Sequence, residues 1–248
     1  MGAAKIIFIT HSEKADPSRV AEALQGLGYG TEICCPFLGD SLPRLQQGRP
    51  EGYAAAIVFG GAQMVSDAAE LDFIAAELDW VGEQLENDAP FLGICLGAQM
   101  MAHALGAKVW QHPDGVREIG FHRIDPTPAG AALFPESLTA YQWHREGFDL
   151  PEGAELLATG GAAFYNQAFR YGENAYAVQF HPEMHAATME YWITSEMGSV
   201  QLGLPGAQPA AEQRASAPTH NPIMRRWLDT FLNVWLGPAD GEQGKLRA

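Results

Sequence analysis

The sequence predicts an α/β protein, a three-layer sandwich built on a central, mostly parallel but mixed sheet. Two observations lead there. Up to Val109, short β-branched or apolar runs alternate with stretches of helical periodicity, the pattern of strands joined by helices on both faces of a sheet. Beyond Val109 the runs shorten and are separated by Gly, Pro and Asp, as expected of strands and turns added to that core rather than of a second domain.

The elements follow in order. Residues 5–10 (KIIFIT) form the first strand. Asp16-Pro17-Ser18 opens a helix that carries Val20, Ala23, Leu24 and Leu27 and ends at the glycines at positions 28 and 30. Residues 31–35 are a second strand, and residues 54–59 (AAAIVF) a third, stopped by Gly60-Gly61. A helix over residues 71–85 carries Phe73, Ile74, Leu78, Val81 and Leu85 as a stripe. Residues 90–94 are another strand. A helix follows at once through Ala98, Met101, Ala102 and Leu105 and is capped by Gly106. Residues 175–180 (AYAVQF) are the clearest late strand and end at His181-Pro182-Glu183. The domain is expected over residues 1–202. Residues 203–221, rich in Ala, Pro, Gln and Ser, read as a loop or linker. Residues 222–236 read as an amphipathic helix packed on the same domain, its tryptophans forming a core or homodimer face. Residues 237–248 read as a frayed tail.

Composition excludes several classes. Fifteen basic against thirty acidic residues give a net charge of −15, which leaves no electrostatic footprint for nucleic acid or an anionic membrane. No apolar run reaches the roughly eighteen residues of a membrane span, and the N-terminus lacks a signal-peptide pattern. Of the three cysteines, Cys34 and Cys35 are adjacent, which fits neither a stapled fold nor C-x-x-C. This usage suits a reducing cytosol, so the expected location is cytoplasmic.

The sharpest chemical feature is Gly93-Ile94-Cys95-Leu96-Gly97, between a strand and a helix. It is the nucleophile-elbow pattern with sulfur in place of the serine oxygen. A tight turn lifts one side chain above the sheet, and the flanking glycines give the backbone room. The thiol then lies at a helix N-terminus, which favours thiolate, and the Leu96 N–H points the same way as an oxyanion donor. The bland alternative for this pentapeptide alone is a buried core thiol. His181-Pro182-Glu183 supplies a base and a carboxylate to orient it. A metal pair of His181 and His185 is disfavoured, because Pro182 bars a regular helix through both and the string is not H-E-x-x-H. Gly60-Gly61, closing a core strand, are candidates for the other half of an oxyanion hole, although alone they read as an ordinary turn. This chemistry needs no metal or organic cofactor. The first strand is followed by Thr10-His11-Ser12 rather than by a dinucleotide-binding G-x-G-x-x-G.

FLGICLGAQMMAHALGAKV (residues 91–109) followed by NQAFRYGENAYAVQFHPE (residues 166–183) resembles the class I glutamine amidotransferases, in particular stand-alone proteins similar to the glutaminase domain of GMP synthase. The resemblance runs over residues 5–183 and implies a flavodoxin-like fold. It implies a triad that hydrolyses the side-chain amide of glutamine, with Cys95 as nucleophile, His181 as acid and base, and Glu183 as its orienter. Gly61 and Leu96 would give the oxyanion N–H groups. Gly60 and Gln99 would line the substrate pocket, and His144, in YQWHREGFDLP, would lie near the site. Two departures stand out. Ala62 occupies a position where the relatives have Pro. Arg145 and Glu146 stand where they have Gly and Asp, and Arg145 reads as a partner for a substrate carboxylate or as a solvent-facing cation.

Neither a G-x-x-x-x-G-K-[ST] loop nor an S-G-G-x-D-S-type loop occurs, so activation of an ammonia acceptor falls to another chain. The leading reading is a glutaminase that passes ammonia to a separate synthetase. The alternative is a self-contained γ-glutamyl amide or peptide hydrolase, with Arg145 and residues 203–221 shaping a larger leaving-group pocket. A third reading is a non-catalytic binding or sensor protein on the same fold, against which the intact Cys95, His181 and Glu183 speak.

Overall fold

Along the first strand Ile6 and Phe8 pack to one side and Ile7 and Ile9 to the other, all four buried. The same alternation recurs at residues 55–58, where Ala55 and Ile57 face the first layer and Ala56 and Val58 the second. Side chains alternate across a strand, so strands buried on both faces require a layer of helices on each side.

The computed structural model describes residues 3–239. Its elements are β1 (Lys5–Ile9), α1 (Ser18–Gly26), β2 (Gly30–Cys34), β3 (Leu45–Gln46), β4 (Arg49–Pro50), β5 (Ala55–Val58), α2 (Asp72–Glu86), β6 (Phe91–Ile94), α3 (Leu96–Ala104), β7 (Val109–Gln111), β8 (Glu118–Pro126), β9 (Leu138–His144), β10 (Glu146–Phe148), β11 (Glu155–Thr159), β12 (Asn166–Tyr171), β13 (Ala175–Val178), α4 (Ala186–Thr194), α5 (Glu196–Gln201) and α6 (Ala210–Leu236). The main sheet has the order β2-β1-β5-β6-β13-β12-β11-β8-β9. From β2 to β13 the pairs are parallel, and from β13 to β9 they are antiparallel. The expected mixed sheet is therefore present, and the late strand β13 completes its parallel half by lying between β6 and β12. Residues of α1 and α6 fill one face, and residues of α2 and α3 fill the other. Among the described residues no helix is long and apolar enough to cross a membrane.

Of the expected linker over residues 203–221, residues 203–209 are turn and loop, and the part from Ala210 onward is corrected. Helix α6 begins at Ala210 and continues through Pro218 and Pro222 to Leu236. Proline weakens a helix interior, and tertiary bonds hold this one. Gln213 is fully buried, accepts from the Tyr141 hydroxyl at 2.7 Å and donates to the Gln208 carbonyl at 2.7 Å. Arg214 donates twice to Glu190, at 2.7 and 2.8 Å. The stretch just before the helix is also tied down. Gln208 N–H donates to Ile119 O at 2.9 Å, and its side chain exchanges two hydrogen bonds with the Phe121 backbone, each 2.7 Å.

The apolar stripe expected over residues 222–236 faces the core of the same domain. Trp227 and Trp235 are 6% and 3% exposed, which removes them as a dimer face. Of the expected frayed tail, residues 240–248 lie outside the described residues, while Ala239 donates to the Leu27 carbonyl at 2.8 Å.

Trp227 stacks on Phe134 and Phe231, meets Phe180 edge-on and donates its indole N–H to Leu133 O at 2.9 Å. Trp227→Ala is expected to lower unfolding stability by about 3–5 kcal/mol in urea titrations. An unchanged midpoint would contradict this docking of α6.

Candidate active site

Four neighbouring parallel strands, β1, β5, β6 and β13, bring His11, Gly60-Gly61, Cys95 and His181 to one edge of the sheet. Open α/β sheets collect their ligand sites at such carboxyl ends.

Cys95 is the single residue between β6 and α3. Its backbone has φ 52° and ψ −102°, a conformation that strains a residue with a Cβ by about 1–3 kcal/mol. The surroundings hold it there. Its N–H donates to Val178 O at 2.9 Å, and its carbonyl accepts from Gln99 N–H at 3.0 Å. A Cβ on Gly97 would overlap the Val58 carbonyl oxygen, and one on Gly93 would lie 2.5 Å from the Gly97 oxygen. The turn closes with glycine at both positions, as the sequence spacing demands. Leu96 opens α3, so its N–H belongs to the first turn, whose donors lack intrahelical acceptors.

His181 follows β13, and its backbone N–H donates to Tyr141 O of β9 at 2.9 Å. The ring Nδ1 donates to Glu183 Oε1 at 2.7 Å. The opposite nitrogen, Nε2, is buried and bonds no nitrogen or oxygen, and the Cys95 thiol is the group that acts on the ring there. Trp192 of α4 meets the imidazole edge to face, with centroids 4.9 Å apart. Cys95 and His181 are 4% and 2% exposed, so charge acts strongly between them. Burial opposes the imidazolium. The Glu183 carboxylate and the Cys95 sulfur outweigh it and hold the His181 pKa up, at about 10.

Gly60 lies over this pair. A Cβ there would be 2.8 Å from His181 Cε1 and 3.4 Å from Cys95 Cβ. Gly61 is closed on another side, where a Cβ would sit 2.7 Å from His11 Cβ. Cys34, by contrast, has a thiol that burial pushes up to a pKa of about 11, which suits an inert core residue.

The remaining expected residues are placed differently. Gln99 is buried, and its amide nitrogen is taken up by Glu146 O at 3.0 Å and Gln179 Oε1 at 3.3 Å. His144 is buried with both ring nitrogens engaged, Nδ1 with Glu146 O at 2.9 Å and Nε2 with Glu118 Oε2 at 3.1 Å. It therefore braces the scaffold and has no ring nitrogen left for a ligand. Arg145, half-buried, donates one guanidinium N–H to Ala62 O at 3.2 Å. The two positions that depart from the relatives' pattern are thus joined: a side chain clamps the turn where they have proline. His185, weighed as a metal partner of His181, is bonded instead to Asp16 at 2.8 Å.

His11, Glu77, Glu118 and Trp192 were not singled out from the sequence. For His11 a signal existed, since it directly follows a core strand on the edge where sites gather. Glu77 and Glu118 read as solvated charges until the fold buries them to 1% and 5% exposure.

The pKa of His181 gives a direct test. With the folded value raised, the pair's contribution to stability is full below the ordinary 6.5 and is lost as pH rises through about 10. Glu183→Gln removes the larger raising charge and leaves burial opposed only by the Cys95 sulfur, so its His181 is expected to lose its proton at lower pH than the wild-type ring. Imidazole NMR titration reads this, and coincident curves for the two proteins would contradict the assignment.

Comparison with known proteins adds a family. Residues 36–196 match the family model described as Glutamine amidotransferase class-I. The glutamine amidotransferase-like protein YfeJ of Salmonella typhimurium is 28% identical over 196 residues, covering 75% of this chain and 78% of that one. The glutamine-hydrolyzing GMP synthase of Porphyromonas gingivalis is 39% identical over 107 residues, covering 41% of this chain and only 21% of that protein's length. A crystal structure of a glutamine amidotransferase from Thermotoga maritima superposes with a TM-score of 0.81 at 27% identity, over 94% of this chain and 98% of that one. The chain, with its mixed sheet and its cysteine-centred strand-to-helix turn, is a member of the class I glutamine amidotransferase family.

Proposed function

We propose that this chain hydrolyses the γ-carboxamide of glutamine to glutamate and ammonia, and that the ammonia passes to a synthetase on another chain. The observation that carries the reading is the convergence of the strained Cys95, the His181–Glu183 pair and Gly60-Gly61 at the ends of β6, β13 and β5.

The chemistry is acyl transfer. The Cys95 thiol passes its proton to His181 Nε2 and the sulfur attacks the side-chain carbonyl carbon of glutamine, and the carbonyl oxygen becomes an oxyanion between the N–H groups of Leu96 and Gly61. Each such donor contributes roughly 3 kcal/mol of barrier lowering. His181, protonated and held by Glu183, gives its proton to the leaving nitrogen, so ammonia departs and a glutamyl thioester remains. His181, now neutral, takes a proton from water, which attacks the thioester. The C–S bond breaks, glutamate leaves, and His181 returns its proton to the sulfur to restore the thiol. Glu183 keeps Nδ1 protonated and the ring aimed through Nε2.

The relative named as a glutamine-hydrolyzing GMP synthase supports glutamine as substrate, and its matched stretch is about a fifth of that protein. The rest of such a chemistry would then come from a partner here. The alternative is a self-contained γ-glutamyl amide hydrolase, in which Arg145, beside the turn at Ala62, and residues 203–221, tied to β8 and β9 through Gln208 and Gln213, would meet a larger leaving group.

Glutamate release by the isolated chain, from glutamine and from γ-glutamyl alkyl and aryl amides, tests the reading. Glutamine is expected to turn over fastest. His181→Ala is expected to lower kcat by about 10²–10⁴-fold, and Cys95→Ala to abolish release with the thermal transition retained. Release by Cys95→Ala at the wild-type rate, or faster turnover of a substituted amide, would overturn it.

A further inference from the structure

Behind the Gly60-Gly61 turn lies another buried histidine–carboxylate pair that the hydrolytic scheme leaves unused. His11 follows β1, and Glu77 sits on α2. Nε2 of His11 is 2.7 Å from Glu77 Oε2, with side chains 0% and 1% exposed. The other Glu77 oxygen has no partner, so nothing competes with His11 for this carboxylate. Nδ1 of His11 is 3.3 Å from the Gly60 carbonyl oxygen. A carbonyl can only accept, so Nδ1 carries the proton of that bond. The His11 carbonyl also accepts from Gln63 Nε2 at 3.5 Å, so one residue holds the turn at two points.

A peptide group is planar and trans, so the Gly60 C=O and the Gly61 N–H point in opposite directions. The carbonyl is drawn toward His11. The Gly61 N–H therefore points away from His11, and Gly60, the other residue of this peptide, abuts His181 and Cys95. Two successive glycines offer little resistance to rotation of the peptide between them. Turned over, that peptide would place a carbonyl oxygen where the oxyanion forms. From this geometry we infer that His11, anchored by Glu77, is a positioning residue that aims the Gly61 N–H as the second oxyanion donor. Its kinetic consequence rests on the acyl-transfer reading above, whereas the orientation of the peptide does not.

Two variants test it. His11→Phe combined with Glu77→Leu removes the donor without leaving a buried charge unpaired. His11→Asn places an amide nitrogen near the Nδ1 position and restores a donor. Crystal structures read the Gly60–Gly61 peptide, steady-state kinetics read kcat and KM for glutamine, and iodoacetamide reads Cys95 by a displacement that forms no oxyanion. The double variant is expected to show the peptide turned over and kcat lowered about 100-fold. Its KM and Cys95 alkylation rate are expected to stay within about twofold of wild type, since neither depends on the transition-state donor. His11→Asn is expected to keep the peptide orientation and recover kcat to within about tenfold. An unturned peptide in the double variant overturns the inference, as does an alkylation rate that falls in step with kcat. Absence of glutamine turnover by the wild-type chain overturns the proposed function instead, and the peptide orientation still decides the role of His11.

Discussion

The parallel register of β1, β5, β6 and β13 is the constraint on which this site depends. Val58 lies opposite Gly93, Gly93 opposite Ala177, and Ile94 opposite Val178. That register places Gly60 over Cys95 and puts the Cys95 N–H on the Val178 carbonyl. A slip of one residue would turn every side chain of a strand to the other face. The alternation of Leu92 and Ile94 against Phe91, each buried in its own layer, forbids it. Apolar burial on both faces of the sheet thus sets the geometry of a polar site at its edge.

The stability of those layers maintains what the site could not maintain by itself. Cys95 sits in an unfavourable backbone region, His181 and Glu183 are nearly dry, and the His181 Nε2 bonds no nitrogen or oxygen. Each feature opposes folding, and each is imposed by close-packed neighbours. The contacts that would follow a Cβ at Gly97, Gly60 or Gly61 show how little space remains. Around the turn of residues 60–64, hydrogen bonds from His11 and Arg145 take the place of a stiffer backbone. A dry, tightly held arrangement is one in which charge developing during a reaction meets donors already in position.

How much of this is legible in the sequence follows from the range of each interaction. The strands and helices of the parallel half are written in short windows, and their observed bounds differ from the expected ones by a residue or two. Cys95 between its glycines and Glu183 two residues after His181 are local patterns as well. The interactions that escaped the sequence are long-range. His11 meets Glu77 across 66 positions, Arg145 meets Ala62 across 83, and Tyr141 meets Gln213 across 72. The first half of α6 is the sharpest case. Pro218 and Pro222 argue locally against a helix, and what holds it are partners from afar, Tyr141 of β9 for its buried Gln213 and Glu190 of α4 for its Arg214. For Gln99 and His144, expected from the resemblance near the site, the sequence does not show that the Gln99 amide nitrogen bonds Glu146 and Gln179, or that the His144 ring bonds Glu146 and Glu118.

The central claim is a covalent step at one sulfur. Rapid mixing of the protein with glutamine, followed by acid quench, intact-mass measurement and peptide mapping, tests it most directly. The expected result is a transient adduct equal in mass to glutamine less ammonia, located on the peptide that contains Cys95 and decaying as glutamate appears. Glutamate appearing with no such adduct at any mixing time, or an adduct on another residue, would contradict it.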